Sequence, residues 1–163
     1  MPARPTRPAL RERYERRRQE MIFAAAKEFS VRGYDETTMQ DLAGSMGLAT
    51  GALYHYFGSK EQLLICIFDQ LMEPLLDRAR EVVIDDVSPS ESLRSIVRLW
   101  VANVIEHRDH MLVFQQMRHS IDSGAQWRSV RESRKAFERL VEHALDEADA
   151  TGPAHLPTRL ALV

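Results

Sequence analysis

The stretch TTMQDLAGSMGLATGALYHYFGSKEQLL, residues Thr37–Leu64, decides the fold. A threonine at its start can cap a short helix that runs to about Ser45, and Gly47 supplies the conformational freedom that a tight turn needs. A second short helix is predicted over about Ala49–Tyr56. Ser59 can then cap a longer helix with Lys60 in its first turn. The order helix, turn, helix, helix start suits a unit that inserts one helix into a DNA groove.

The spacing of small and apolar residues in this stretch fits a helix-turn-helix. Ala43 is small where the two helices must cross, and Gly47 follows four positions later in the turn. Apolar side chains are needed around both helices to hold them to each other and to a supporting helix. Four residues supply them: Leu42, Met46, Leu48 and Leu53. All six residues fall in register, which is a fairly specific signal, although apolar spacing alone occurs in many helical hairpins.

The second helix presents the chemistry of a base reader on its exposed side. Thr50 can donate to or accept from a base, Gly51 and Ala52 keep the backbone close to base edges, and Ala52 or Tyr54 can meet a thymine methyl. Four further residues are placed to hold phosphates: Thr38, His55, Tyr56 and Lys60. Leu53 and Phe57 are predicted to be core. For Tyr56 an alternative stays open, in which the ring is core and only the hydroxyl reaches the surface.

The rest of the chain predicts an all-α fold. Apolar residues recur at helical spacing over Arg13–Val31, Ser59–Val83 with a kink at Pro74, a helix starting at Ser88–Pro89, Met111–Ile121 and Trp127–Ala150. Thr151–Pro157 is predicted to be a linker and Thr158–Val163 the beginning of another helix. Three units follow: a disordered basic arm over 1–12, a DNA-binding domain over 13–58 and a helical ligand-binding and dimerisation domain over 59–163.

The charge is distributed unevenly along the chain. The whole sequence of 163 residues has a formal net charge of −2. Residues 1–60 carry ten Lys and Arg against seven Asp and Glu, whereas residues 61–163 carry twelve against seventeen. A basic end on an acidic body is typical of a DNA reader with a separate control domain. With no apolar run of membrane length, no signal peptide and one cysteine, Cys66, the expected location is the cytoplasm.

Thr37–Leu64, above all LYHYFGSKEQLL at Leu53–Leu64, resembles the DNA-binding segment of the TetR family of bacterial transcriptional regulators. The close resemblance covers about Ile22–Phe68. It implies an all-helical, Ω-shaped homodimer whose first three helices bind DNA, with bases facing Thr50, Gly51, Ala52 and Tyr54 and the DNA backbone near Thr38, His55, Tyr56 and Lys60. Bodies in this family end with two long helices that pair across the dimer. The sequence stops at Val163, about where the first would begin, so we expect a truncated body.

The body residues suggest an effector cavity. Seven side chains are expected to line it: Trp100, Val104, Met111, Phe114, Met117, Arg118 and Trp127. The run Met111–Leu145 more weakly resembles family members that respond to acyl-CoA in lipid metabolism, and on that resemblance Arg118, Arg128, Arg131 or Arg134 would meet CoA phosphates. For each apolar residue ordinary core is the alternative.

The histidines give a weak metal signal. His107 and His110 are three residues apart and His119 follows, a spacing that can share a metal ion. No cysteine or clustered carboxylate accompanies them, so we predict a surface or capping role, no metal and no cofactor.

The sequence therefore predicts a ligand-responsive regulator that, as a dimer, represses from a near-palindromic operator and is released by a small apolar or acyl-CoA-type effector. The alternative is a helical interaction or ligand-binding protein that has lost DNA binding. An enzyme is disfavoured, since we find no catalytic Ser/His/Asp set, phosphate loop or HExxH motif.

Overall fold

The computed structural model describes residues 8–84 and 88–151, and within these ranges it contains helices and no strand. Seven α-helices follow one another: α1 Pro8–Arg32, α2 Met39–Ser45, α3 Thr50–Phe57, α4 Lys60–Ile84, α5 Pro89–Glu106, α6 Arg108–Ser123 and α7 Arg128–Thr151. A short 3₁₀ turn, Ala125–Trp127, joins α6 to α7. The all-α prediction is confirmed.

Helix α1 begins at Pro8, five residues before the predicted Arg13, so the predicted disordered arm is wrong over residues 8–12. Proline is well tolerated at the first helical position, and the arginine-rich residues that follow are good helix formers. The remainder of that arm, residues 1–7, lies outside the described residues. At its other end α1 stops at Gly33, which has φ +87° and whose amide donates to the Phe29 carbonyl.

Helix α2 starts with a capping box. The hydroxyl of Thr38 accepts from the Asp41 amide at 3.1 Å, and the Asp41 carboxylate accepts from the Thr38 amide at 2.9 Å. Two helix-end amides are satisfied by this exchange. The neighbouring threonine, Thr37, is instead buried and donates its hydroxyl to the Gly33 carbonyl at 2.7 Å.

The turn between α2 and α3 has the predicted construction. Gly47 has φ +65°, the left-handed conformation that favours glycine, and the Leu48 amide donates to the Ala43 carbonyl at 2.8 Å. Ala43 is 1% exposed where the helices cross. The predicted apolar contacts are also confirmed: Leu42 and Leu53 are fully buried, and Met46 and Leu48 are half-buried against the same core.

Two hydrophobic clusters build the molecule, and α4 contributes to both. The first cluster joins α1, α2 and α3 to the start of α4, which supplies Leu63, Leu64, Ile67 and Phe68, and it continues into α6 and α7. The second lies between the later part of α4, α5 and α7, and Met111 of α6 also belongs to it. The N-terminal unit α1–α3 therefore shares its core with the rest of the chain.

Helix α4 continues as a helix through Pro74 to Ile84. Close to the proline, the buried side chain of Asn103 donates to the Leu71 carbonyl at 3.1 Å and so joins α5 to α4. A buried amide without a hydrogen-bond partner would be costly, so this bond is what allows a polar residue in the buried position. The kink that Pro74 predicts remains a prediction.

The predicted linker after Thr151 and the predicted helix start Thr158–Val163 lie outside the described residues. The predicted truncation of the body therefore stays a prediction. Within 8–84 and 88–151, no helix combines the length and the apolar character that crossing a membrane would require.

Candidate nucleic-acid interface and ligand cavity

Helix α3 is held from one side and open on the other. Leu53 and Phe57 point into the first cluster and are 0% and 4% exposed. Elsewhere on α3, Gly51 is exposed and Tyr54 retains 49% exposure, while Thr50 and Ala52 are half-buried. A methyl group built on Gly51 would meet no atom of the protein within 4 Å. Gly51 and Tyr54 are thus the most accessible of the four predicted base-contacting residues, and Thr50 and Ala52 are partly covered.

The predicted phosphate contacts at the end of α3 lie around this open side. His55 is exposed, and Tyr56 is half-buried with its ring stacked on Tyr14 of α1 at a centroid distance of 4.6 Å. The ring of Tyr56 packs against the core, as the core alternative predicts, and part of its side chain remains accessible; the phosphate contact stays a prediction.

Lys60 opens α4 and is oriented by an aromatic ring. Its Nζ lies 4.1 Å from the centroid of Tyr34, a cation–π contact, and Ser59 caps the helix by accepting from the Gln62 amide at 3.1 Å. Burial, together with the nearby carboxylates of Glu61 and Asp35, raises the pKa of Tyr34 to about 12, so the ring stays neutral at physiological pH. Lys60 is therefore a positioned cation at the edge of the α3 surface.

Thr38 is exposed at the start of α2, but its hydroxyl is already engaged. It donates to Asp41 Oδ2 at 2.6 Å, and this hydrogen bond is the first cause that holds the pKa of the Asp41 carboxyl below its usual value. A phosphate at this end would have to compete with an ionised carboxylate for the hydroxyl proton.

A cavity of about 290 Å³ opens in the body between α4, α5, α6 and α7. Its walls are mostly apolar, with charged and polar groups from α6 and α7 at its margin. The residues that line it are Leu71, Met72, Ile96, Val97, Trp100, Met111, Phe114, Gln115, Arg118, Arg134, Phe137, Glu138 and Val141. This volume is near the lower end of the roughly 300–1,000 Å³ of small-molecule sites.

Four of the seven predicted cavity residues line this space, and three do not. Trp100, Met111, Phe114 and Arg118 are at the wall, whereas Val104, Met117 and Trp127 are not. On α6, Met111, Phe114, Gln115 and Arg118 follow the 3–4 spacing of one helix face, while Met117 belongs with Val113 and Ile121 on another face. Met117 and Trp127 are buried in the first cluster instead. Val104 packs in the second cluster, one turn of α5 beyond Trp100.

The cavity wall contains residues that the sequence reasoning missed. Phe137 stacks on Trp100 with centroids 5.3 Å apart, and Leu71 and Met72 come from α4. Their helical spacing was visible in the sequence, but which faces of four helices meet depends on the packing.

The four arginines considered for an anionic effector differ in their surroundings. Arg118 and Arg134 line the cavity, and Arg134 pairs with Asp122 at 2.9 Å and Glu138 at 3.3 Å. Arg131 donates to the Ile121 and Gly124 carbonyls, and Arg128 forms an exposed pair with Glu132 at 3.5 Å. Only Arg118 and Arg134 of this set are at the cavity wall.

The histidines do not share one environment, so the predicted surface role is wrong for His110. This residue is 1% exposed, with Nε2 3.3 Å from Gln70 Oε1 and its ring against Phe23. Burial first, then His107, lowers its pKa to about 4. His107 ends α5, as a capping role predicts, and His119 is exposed. In the part of the chain that the structure describes, no three His, Cys, Asp or Glu side chains group as a metal site.

Two family models match the sequence. Residues 22–67 match "Bacterial regulatory proteins, tetR family", and residues 86–162 match "Tetracyclin repressor-like, C-terminal domain". The first match contains α2, α3 and the start of α4, and the second contains most of the body.

Similar proteins include the HTH-type transcriptional repressor KstR2 of Mycolicibacterium smegmatis, 35% identical over 117 residues. That alignment covers 71% of this chain and 53% of the relative, so the chain spans about half the length of this relative. The structure of the ketosteroid transcriptional regulator KstR2 of Mycobacterium tuberculosis is 25% identical with a TM-score of 0.78, over 86% of this chain and 72% of that one. AibR, solved in complex with isovaleryl coenzyme A and operator DNA, is 25% identical with a TM-score of 0.71, over 86% and 76% of the two chains.

Proposed function

The chain belongs to the TetR family of bacterial regulatory proteins, and from this membership we propose that it is a ligand-responsive transcriptional repressor rather than an enzyme. It acts in the cytoplasm as a homodimer on a near-palindromic DNA operator. A small apolar or acyl-CoA-type molecule in the body cavity releases it.

The open side of α3 is the observation that carries the proposal. With its side chains an α-helix is roughly 10–12 Å across, and the major groove is roughly 12 Å wide, so the eight-residue α3 fits lengthwise or obliquely into it. Thr50, Gly51, Ala52 and Tyr54 contact base edges. Because Leu53 and Phe57 fix α3 to the core, its position does not have to be ordered on binding.

Phosphate contacts on both sides of α3 fix its register in the groove. His55 and Tyr56 supply donors at its end, and Lys60 supplies a cation already held over Tyr34. At the start of α2, Thr38 contributes less through its hydroxyl than through the first-turn amides of the helix it caps. In a dimer, the two DNA-binding heads, each made of α1, α2 and α3, contact successive major-groove faces about 34–36 Å apart.

The cavity supplies the effector site. Its apolar wall suits an acyl or other hydrocarbon group, and Arg118 and Arg134 at its margin suit a negative charge. A space of about 290 Å³ is too small for an entire CoA thioester, so the nucleotide part would lie outside it. The complex of AibR with isovaleryl coenzyme A supports this effector class.

Effector binding reaches the head through α4 and α6. Leu71 and Met72 line the cavity one turn after Phe68, which belongs to the core shared with the head. Phe114 also lines the cavity and packs edge-on against Phe68 with centroids 5.5 Å apart. An effector that fits only one arrangement of these rings shifts the head positions, whereas equal affinity for both arrangements would release nothing.

The double variant Tyr54→Ala, Lys60→Ala tests the groove assignment. Both side chains are accessible, so the variant is expected to fold as wild type while its affinity for DNA flanking the gene in its native genome falls at least tenfold, since each base contact contributes about 1–3 kcal/mol. The matched control is Ile105→Ala, Lys135→Ala, which removes an exposed apolar group and a lysine from the body. Affinities are measured by gel shift at fixed salt, with circular dichroism as the folding check.

Unchanged operator binding by the Tyr54→Ala, Lys60→Ala variant would contradict the groove assignment. A wild-type protein that binds a hydrophobic ligand but shows no salt-dependent DNA affinity would favour the alternative class, a ligand-binding protein without DNA binding.

A further inference from the structure

The first half of α1 and the end of α3 together form an open cleft of about 490 Å³. Tyr14 of α1 stacks on Tyr56 with an interplanar angle of 22°, which fixes the two helices beside each other. The polar and aromatic residues that line the cleft are Arg13, Tyr14, Arg16, Arg17, Glu20 and Tyr56. The surface that α3 presents is therefore continuous with a row of arginines on a different helix.

The arginines of the cleft are exposed and only weakly engaged. Arg16 pairs with Glu12 at 3.7 Å and Arg17 with Glu20 at 3.0 Å, both within α1 and both largely exposed. Arg13 forms no ion pair with any residue in 8–84 or 88–151. Because exposed pairs of this kind contribute little, a phosphate can replace the carboxylates without a large penalty.

We propose that this cleft binds the DNA backbone just outside the base pairs that α3 reads. The inference rests on the proposed function, and it adds α1 as a second element that contacts DNA. Arg13 and Arg17 are one helical turn apart, about 6 Å, while successive phosphates of one strand advance about 3.4 Å along the duplex axis. The row can thus meet two or more phosphates of one strand, and the guanidinium forks can bind them in a bidentate manner.

Tyr56 determines which stretch of backbone reaches the cleft. Its side chain belongs both to the phosphate contacts proposed for α3 and to the wall of the cleft. A strand that meets Tyr56 therefore passes directly to the α1 arginines. The contact lies on the phosphates and carries no base preference, so it lengthens the footprint and raises affinity for all sequences.

Glu20 opposes this contact and provides a test with the opposite sign. It is the one carboxylate among the residues that line the cleft, and its side chain is 56% exposed. Removing its charge frees Arg17 and lowers the repulsion of phosphates. A gain in affinity on Glu20→Gln cannot arise from unfolding, whereas a loss on an arginine substitution can.

The first experiment compares wild type with Arg13→Gln, Arg17→Gln in the full chain. Affinity is measured against salt concentration on two duplexes that share the operator core, one trimmed to the core and one with native flanks. Two substitutions in a dimer remove four phosphate contacts, so the slope of log K against log salt on the flanked duplex becomes shallower by about 3–4. The ratio of operator to non-operator affinity stays nearly constant.

The control carries the same charge change away from the head. Arg94→Gln, Arg98→Gln on α5 removes two exposed arginines that pair with Glu91, and it is expected to leave the slope within about 1 of wild type. An unchanged slope for Arg13→Gln, Arg17→Gln, or an equal change in the control, overturns the proposal that the cleft binds the DNA backbone. So does an equal change on the trimmed and flanked duplexes.

Glu20→Gln is measured on the same duplexes. We expect severalfold tighter binding to flanked DNA at low salt and a smaller gain at high salt. No gain overturns the proposal, even if the arginine variant binds poorly. Wild type that binds no operator would contradict the proposed function. Normal operator binding by wild type, together with unaffected binding by the Arg13, Arg17 and Glu20 variants, would contradict only the proposed role of the cleft.

Discussion

Replacing Gly51 by alanine is expected to change the free energy of unfolding and the affinity for operator DNA in opposite directions. Gly51 is the second residue of α3, its φ is negative, and a methyl group added there would meet no protein atom within 4 Å. Alanine is the better helix former by about 0.5–1 kcal/mol, so the free energy of unfolding is expected to rise by that amount. For a chain of this length the melting temperature would rise by roughly 1–4 °C.

Operator affinity is expected to move in the other direction. If the α3 backbone lies against base edges at Gly51, the added methyl group forces the helix out by about 1 Å. Base hydrogen bonds lengthened by that amount lie beyond the roughly 2.7–3.2 Å range in which they are strong. Losing one base contact of about 1–3 kcal/mol in each head predicts a tenfold or larger loss of affinity.

The control is Gly44→Ala on α2, because Gly44 is also helical, exposed and without atoms within 4 Å of an added methyl group. Melting by circular dichroism and binding by fluorescence anisotropy are measured for both variants. Gly44→Ala should gain similar stability and keep wild-type operator affinity. Wild-type affinity for Gly51→Ala would refute the close approach of α3 to the bases.

Two further predictions concern the body. His110 has a folded-state pKa of about 4 against an ordinary value of 6.5, so the unfolded chain binds more protons between these pH values. The free energy of unfolding of wild type should therefore fall by up to about 3 kcal/mol from this residue as the pH drops from 6.5 to 4. Urea unfolding at several pH values should show a flatter pH dependence for His110→Gln. An equally steep dependence in the variant would contradict a buried, neutral imidazole at His110. Val141→Phe places a ring in the cavity and should weaken fluorescence enhancement of 1-anilinonaphthalene-8-sulfonate while operator binding persists. Val101→Phe, on an exposed part of α5 outside the cavity, should leave dye binding unchanged. Equal dye binding by wild type, Val141→Phe and Val101→Phe would show that the dye binds outside the cavity.

The sequence predicted the head closely because its determinants are local. Gly47 adopts positive φ in the turn, Thr38 caps α2, and Leu42 and Leu53 are buried at helical spacing. Each of these features depends on residues only a few positions apart. The boundary of α1 was less predictable, since a proline followed by arginines fits either a helix start or an extended arm.

The cavity was predicted only in part because it depends on how four helices face one another. Met117 and Trp127 have the residue types of a pocket wall, but their helix faces turn toward the core shared with the head. Phe137 and Val141 of α7 complete the wall, although they lie 19 and 23 residues beyond Arg118, the last wall residue of α6. His110 was missed for the same reason, because only the packing of α1 and α4 against α6 buries it.

Specific DNA binding by the intact chain is the most direct test of the account. The measurement is the ratio of dissociation constants for two duplexes of equal length and composition, one from DNA flanking the gene and one scrambled, at one fixed salt concentration. A TetR-family repressor that reads bases with α3 should prefer its operator by about 10³-fold or more. If every duplex taken from the flanking DNA binds no more tightly than its scrambled counterpart, base reading by Thr50, Gly51, Ala52 and Tyr54 is contradicted.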